Sequence, residues 1–493
     1  MNNSQLKRLI KLEDKINRIV TGYGYNYYPI EYDVIPETKM WEILSYRSPV
    51  QISNWKFGRD FEKQRTIFEQ VDPSLPYECI IFGDPNRAYL MGSNPFAVQA
   101  LVMAHCVGHS TFFKENKWFS KSRIDLMTIL SEASTRFNEY EKIYGIDEVE
   151  RTVDAGHAIQ WHSSPFELET EDDKRKRVFE QMKLKYTPKS SEFSDLLSGK
   201  NNEKMDVENY NVQLLRRIRN STPVEPTEDL LRYIIDNSPV LEDWQKDILE
   251  TLRIEGMYYW PIIKTKIMNE GFATYIHEQV MNQLFRDGDL TPEEHGQYNY
   301  SNSLVKAQQR MSMNPYLIGS HMLKDIEMRW DKGRHGREYE ECDDFKMKGE
   351  WDTKEMLGKQ KVHDTIITHT DWMFFQDFLT DKLIEELDLF IYLEQEHPDG
   401  STEYVRTDHT LDQIKQIIIN SFCNSGQPKI DVVDGNYDGL NHLLLQHNYV
   451  GSPLDNQYTE ETMKHLCHLW GRDVLLKTMI KDREIVAHVK RKA

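Results

Sequence analysis

Two histidines four residues apart, His105 and His109, stand in the segment NPFAVQALVMAHCVGHSTFFKEN. On a helix that spacing puts both imidazoles on one face, where they can ligate one metal ion or share hydrogen-bond partners. The flanking residues are apolar, so buried rings need partners whichever role they serve. Between them lie Cys106, Val107 and Gly108, without the glutamate that activates water in a HExxH site. Cys106 is a candidate thiol nucleophile or an inert core cysteine. A second segment, MNEGFATYIHE, sets Glu270, Thr274 and His277 at i, i+4 and i+7 on one helical face. Glu270 reads there as an N-terminal carboxylate or as a ligand. A third segment does the same with Glu150, Asp154 and His157, and in a fourth Glu255 precedes Tyr259 by four. Gathered from four helices, these groups would support one metal or a dinuclear carboxylate–histidine centre. Taken singly, each is equally an ion-pairing or hydrogen-bonding residue.

The MNEGFA phrase is similar to the Asn-Glu-Gly-Phe-Ala segment of gluzincin aminopeptidases, in which the glutamate is the third zinc ligand. That resemblance implies a His₂Glu site of His105, His109 and Glu270. Because Cys106 occupies the general-base position, it implies an altered site with another base, or a metal-binding remnant, and not a working aminopeptidase. The expected metal ligands are therefore His105, His109 and Glu270, with His157 and Asp154 contributing. Glu255 and Cys106 are the catalytic candidates. The expected cofactor is a divalent transition metal, zinc or iron. His162, in WHSSPF, reads as a cap or surface group, and His369 with Asp371 as a cap on the following helix or a pair facing a cleft. No P-loop or dinucleotide fingerprint occurs.

The elements that must position these residues are mostly helical. Amphipathic or apolar periodicity predicts helices over residues 4–20, 40–46, 96–113, 122–144 and 147–161, another beginning near residue 58, and three more between 228 and 286. GYGYNYYPIEYDVIP reads as an ordered, irregular segment. A polar passage, 167–225, reads as a linker or lid. The last hundred residues change rhythm: EYVRTD, a helix, two strands around an Asp-Gly turn, a second helix and two final strands. The expected fold class is mainly α, with a helical body over 1–400 and a small α+β domain over 401–493.

Length and composition agree with this. A chain of 493 residues suits about two to four structural units. Its 61 basic against 80 acidic residues give a net charge of −19, which argues against a general nucleic-acid binder. Five cysteines with no CxxC exclude a disulfide framework and a thiolate zinc knot. The N-terminus lacks an apolar h-region, and no run matches the roughly 18–20 apolar residues of a membrane span. A cytoplasmic location without membrane insertion is expected.

Longer phrases carry a more specific resemblance: WKFGRDFE, AYLMGSNP, AHCVGHSTFFKEN, EDWQKDILETLR, KTKIMNEGFATYIHE, NPYLIG, DIEMRWDKGRHG, THTDWMFFQDFLT and YTEETMKHLCHLWGRDVLLKT. Over nearly its whole length the chain resembles the SpoVR family, named for stage V sporulation protein R. The resemblance implies a part in spore formation, especially assembly of the peptidoglycan cortex, with sporulation or cell-envelope proteins as partners. Two function classes stand open: a metal-dependent enzyme, hydrolytic or oxidative, and a non-enzymatic scaffold or regulator.

Overall fold

Ala, Leu, Met and Gln favour helix, and the near absence of charge from residue 96 to 113 lets that helix be apolar all round. In the computed structural model it spans Phe96–Glu115 and is buried on every face from Phe96 to Phe113. We call it the histidine helix. Its length and hydropathy meet the criterion for a membrane span, contrary to the sequence expectation, and the qualifying window is wholly buried inside the protein. The structure describes residues 3–46, 55–70, 78–164, 169–185, 201–220, 222–308, 312–396, 402–480 and 483–491.

Contacts divide the chain into two units, Met1–Thr135 with Tyr258–Gly426, and Arg136–Met257 with Gln427–Ala493. This division differs from a single boundary at residue 400. The first unit is built on the histidine helix, which packs against a helix at Lys266–Arg286 (the glutamate helix); this in turn packs against a flanking helix at Pro315–Asp331. Both crossings are close because they meet at small residues. A Cβ on Gly108 would lie 2.6 Å from the Ala273 Cα, and one on Gly271 would lie 2.3 Å from the Gly319 Cα.

The first unit also holds a three-stranded sheet in the order β1-β3-β2, with β1 at Ile30–Ile35, β2 at Glu78–Ile81 and β3 at Asn86–Met91. β1 runs parallel to β3 and β2 antiparallel to it. The segment expected to be irregular thus supplies a strand: Ile30, Tyr32 and Val34 alternate with acidic residues, a period of two that the neighbouring Gly, Tyr and Pro obscure. A hairpin of β4 (Tyr392–Glu396) and β5 (Thr402–Arg406) and a helix at Leu411–Phe422 complete this unit.

The second unit carries a sheet in the order β6-β7-β8-β9, at Ile430–Tyr437, His442–His447, Val474–Ile480 and Arg483–Val489. Asp438 and Gly439 take positive φ at the expected turn. Leu443, Leu445, Val474 and Leu476 share one core with Leu230, Leu231 and Ile234 of a helix at Leu230–Asn237 and with Leu466 and Trp470 of a helix at Asn456–Trp470. The mainly α fold with a sheet-containing C-terminal domain is as expected, with one change. EYVRTD does not begin the C-terminal sheet, because β5 pairs with the preceding β4 instead. The 167–225 passage contains helices at Glu171–Lys185 and Asn201–Asn220, which bury Val178 against Leu214 and Ile218. Residues 165–168, 186–200 and 221 lie outside the described residues.

Candidate metal centre

One helical turn brings His105 and His109 together, with ring centroids 4.6 Å apart and planes at 83°. Glu270 comes from the second turn of the glutamate helix. The start of that helix is held by Asp371, whose buried carboxylate accepts the backbone N–H of Ile267 and of Met268, both at 2.9 Å. Asp371 therefore caps a helix whose first N–H groups lie 103 and 104 residues upstream rather than its own, a role normally taken by the adjacent N-cap residue. His369 binds Asp377 at 3.1 Å.

The fourth member is Glu78, the first residue of β2. Glu78, His105, His109 and Glu270 each place one donor atom within 4.8 Å of all the others. Glu78 Oε1 lies 3.0 Å from His105 Nε2 and 3.7 Å from His109 Nε2, and Glu270 Oε2 lies 3.4 Å from each. Donors about 2.0–2.1 Å from a tetrahedral ion stand ~3.3–3.4 Å apart, so these separations match a four-donor set. Two imidazole nitrogens and two carboxylates suit zinc or iron better than calcium or magnesium.

The far side of each imidazole is also engaged. His109 Nδ1 donates to Asn269 Oδ1 at 2.9 Å, and His105 Nδ1 meets His277 Nδ1 at 2.9 Å. Metal-binding histidines characteristically use the second ring nitrogen in this way. Both imidazole side chains are almost closed off, 3% and 5% exposed, whereas Glu78 and Glu270 are 16% and 21% exposed. The centre therefore opens on its carboxylate side.

Burial alone would raise the Glu78 carboxyl, but the charge of His105 and hydrogen bonds from both histidines hold it at about 2. Glu270 is likewise held well below the usual carboxylate range, against its burial, by the charge of His109 and hydrogen bonds from both rings. Burial would depress His109, yet Glu270, by charge and hydrogen bond, and then Glu78 lift it to about 10. Without an ion, two imidazolium protons balance two carboxylates. A divalent cation replacing those protons leaves the same net charge, so the group exchanges one state for the other without burying uncompensated charge. The Tyr316 hydroxyl hydrogen-bonds Glu270, whose charge, followed by burial, keeps the phenol firmly protonated.

The remaining sequence candidates lie elsewhere. Cys106 is fully buried in the histidine helix, and desolvation pushes its thiol well above the ordinary value, so it stays protonated at neutral pH. Asp154, His157 and Glu255 belong to the second unit and are not part of the four-donor group. There Gln160 engages two of them: its Nε2 donates to Glu255 Oε2 at 2.9 Å and its Oε1 pairs with His157 Nδ1 at 3.0 Å. Helical spacing identifies the residues that share a face, but not which other helix that face meets. Glu78 escaped notice because a lone glutamate opening a four-residue strand has no spacing signature. The available signal was a carboxylate directly preceding the apolar run Cys79-Ile80-Ile81-Phe82.

Residues 3–427 match the family described as SpoVR like protein, and residues 428–481 match the SpoVR-like C-terminal domain. An uncharacterized protein of Escherichia coli, YcgB, is 28% identical over 498 residues, covering 96% of this chain and 92% of the relative. No solved structure matches the chain.

Proposed function

We propose, from the premise that this chain belongs to the SpoVR-like protein family, that it is a metal-dependent enzyme serving cell-envelope formation, and cortex assembly in spore formers. The observation that carries this reading is the convergence of Glu78, His105, His109 and Glu270 on one point, with both imidazoles anchored from behind. The sporulation role rests on the family resemblance. A zinc or iron ion held by His105, His109 and Glu270 would supply Lewis acidity and an activated water, with Glu78 beside it.

The chain's own residues account for the rest. His105 and His109 present Nε2 lone pairs once their protons leave, and Asn269 and His277 keep the rings from turning. Glu270 brings one negative charge, oriented by the Tyr316 hydroxyl. Glu78 stands on a strand, independent of both helices, on the more open side of the group. It fills the need for a proton acceptor that Cys106, buried and protonated, does not meet. This arrangement favours hydrolysis.

The test is metal content. Chelator-stripped protein reconstituted with zinc or ferrous iron is expected to retain about one equivalent per chain, and a His105→Ala, Glu270→Gln double variant to retain none. In a spore-forming host lacking its own SpoVR-like protein, the wild type and not the double variant is expected to restore cortex. Wild type that takes up no metal overturns the metal-centre reading. Restoration by the metal-free variant favours the scaffold instead.

A further inference from the structure

Behind His105 the hydrogen bonds continue outward. His277 Nε2 lies 2.9 Å from Asn302 Oδ1, and Asn302 Nδ2 donates to Glu278 Oε1 at 3.0 Å. Glu278 is held in turn by Lys306 Nζ at 2.7 Å and by Lys324. His277 is buried, with 1% of its surface exposed. Asn302 belongs to a helix at Pro292–Val305, different from the one that carries His277 and Glu278.

The direction of each bond follows from the outermost member. An ionised carboxylate between two lysines only accepts, so Asn302 must turn its NH₂ toward Glu278 and its carbonyl oxygen toward His277. That oxygen only accepts, so His277 carries its proton on Nε2 and offers a lone pair at Nδ1. His105 must then keep a proton on Nδ1, so the proton it gives up to a metal is the one on Nε2, which faces Glu78 and Glu270. With His277 neutral, no other arrangement satisfies the contacts at Asn302, His277 and His105 Nδ1.

We infer that His277 is a positioning residue that sets the tautomer of His105 for metal binding, and that the Lys306/Lys324–Glu278–Asn302 chain sets His277 in turn. This rests on the metal-centre reading and adds the origin of its ligand polarity. Hydrogen-bond partners behind a metal-binding imidazole change metal affinity by about 10–100-fold.

Two amides at position 277 separate polarity from packing. The Asn oxygen falls near the Nδ1 position of histidine and can accept from His105, whereas the Gln amide falls near Nε2 and leaves His105 Nδ1–H without an acceptor. Zinc affinity, read by competition with a chromophoric chelator, is expected to stay within about threefold of wild type in His277→Asn and to fall about 10–100-fold in His277→Gln. In ¹⁵N-histidine spectra of the zinc-loaded wild type, His105 is expected to be protonated at Nδ1 and zinc-bound at Nε2. Equal affinities in the two variants, or His105 bound through Nδ1, overturn the relay while leaving the metal centre standing. Wild type that binds no zinc overturns both. If neither variant folds, the wild-type spectrum decides alone.

Discussion

Gln160 in the second unit and the Glu78–His105–His109–Glu270 group in the first are both polar clusters set among buried apolar side chains, but they use their bonding capacity in opposite ways. Gln160 uses both amide hydrogens and its oxygen: it bridges Glu255, the Leu252 carbonyl and His157. Nearby, Arg253 closes on buried Asp229 at 2.6 Å, with the two side chains 12% and 2% exposed. Among the described residues, this network does not bring three or more ligating side chains to one point. In the first unit the partners lie behind the donors, and the Nε2 and carboxylate atoms face one another across a common point. Buried polarity alone therefore does not identify a site; convergence with rear support does.

Substitutions can strain this contrast at several levels. The largest effect is expected where helices touch backbone to backbone. In Gly271→Val the new Cβ would lie 2.3 Å from the Gly319 Cα and 2.4 Å from its carbonyl carbon, groups that cannot swing aside. The expected cost exceeds about 3 kcal/mol, with loss of metal uptake. Gly156→Ala in the second unit meets only the tips of Leu252 and Leu249, at 2.4 and 3.0 Å, and is expected to cost about 1–2 kcal/mol. Urea titrations of both variants check the ranking, and equal costs would erase the distinction between rigid and yielding crossings.

Breaking the closed ion pair is expected to cost a comparable amount. Arg253→Leu leaves the buried Asp229 carboxylate without its ion-pair partner, holding, among the described residues, only the Arg232 backbone N–H at 2.9 Å, at an expected cost of about 3 kcal/mol. Zinc stoichiometry at low temperature, where the variant remains folded, is expected to be unchanged. A loss of zinc in the folded variant would mean that the two networks are coupled.

The smallest effect concerns pH. Burial pushes His162 down to about 4 from its ordinary 6.5. The unfolded chain then binds a proton at a pH where the folded chain does not, so His162 lowers stability progressively as pH falls from about 6.5 to about 4. His162→Gln is expected to flatten this part of the pH dependence without altering metal content. Denaturation midpoints of both proteins across that range provide the comparison, and parallel slopes would remove His162 as a contributor.

The sequence made some of this arrangement readable. His105 and His109 announce themselves because four-residue spacing on an uncharged helix carries its own geometry, and Glu270 because its surrounding phrase is distinctive. Glu78 is joined to them by β2, which pairs with β3 and packs against the histidine helix, contacts of a short strand that leave no periodic trace. His157 and Glu255 show the converse: correct spacing on helices, but side chains engaged by Gln160. The mainly helical character followed from long runs of period 3.6. The interleaving of the units did not, because nothing local records that residues 136–257 interrupt one contact unit and join residues 427–493 in another.

That interruption has a consequence during synthesis. His109 and Glu270 are 161 residues apart, so on a ribosome adding roughly 5–20 residues per second the histidine helix waits roughly 8–30 s for the helix that covers it. Throughout that interval the nascent chain carries a segment apolar enough for a lipid bilayer, with neither Ala273 nor Glu270 yet made. The same apolar helix that secures the finished centre makes the half-made protein adhesive, and the burden of keeping it unattached falls on whatever binds the chain as it emerges.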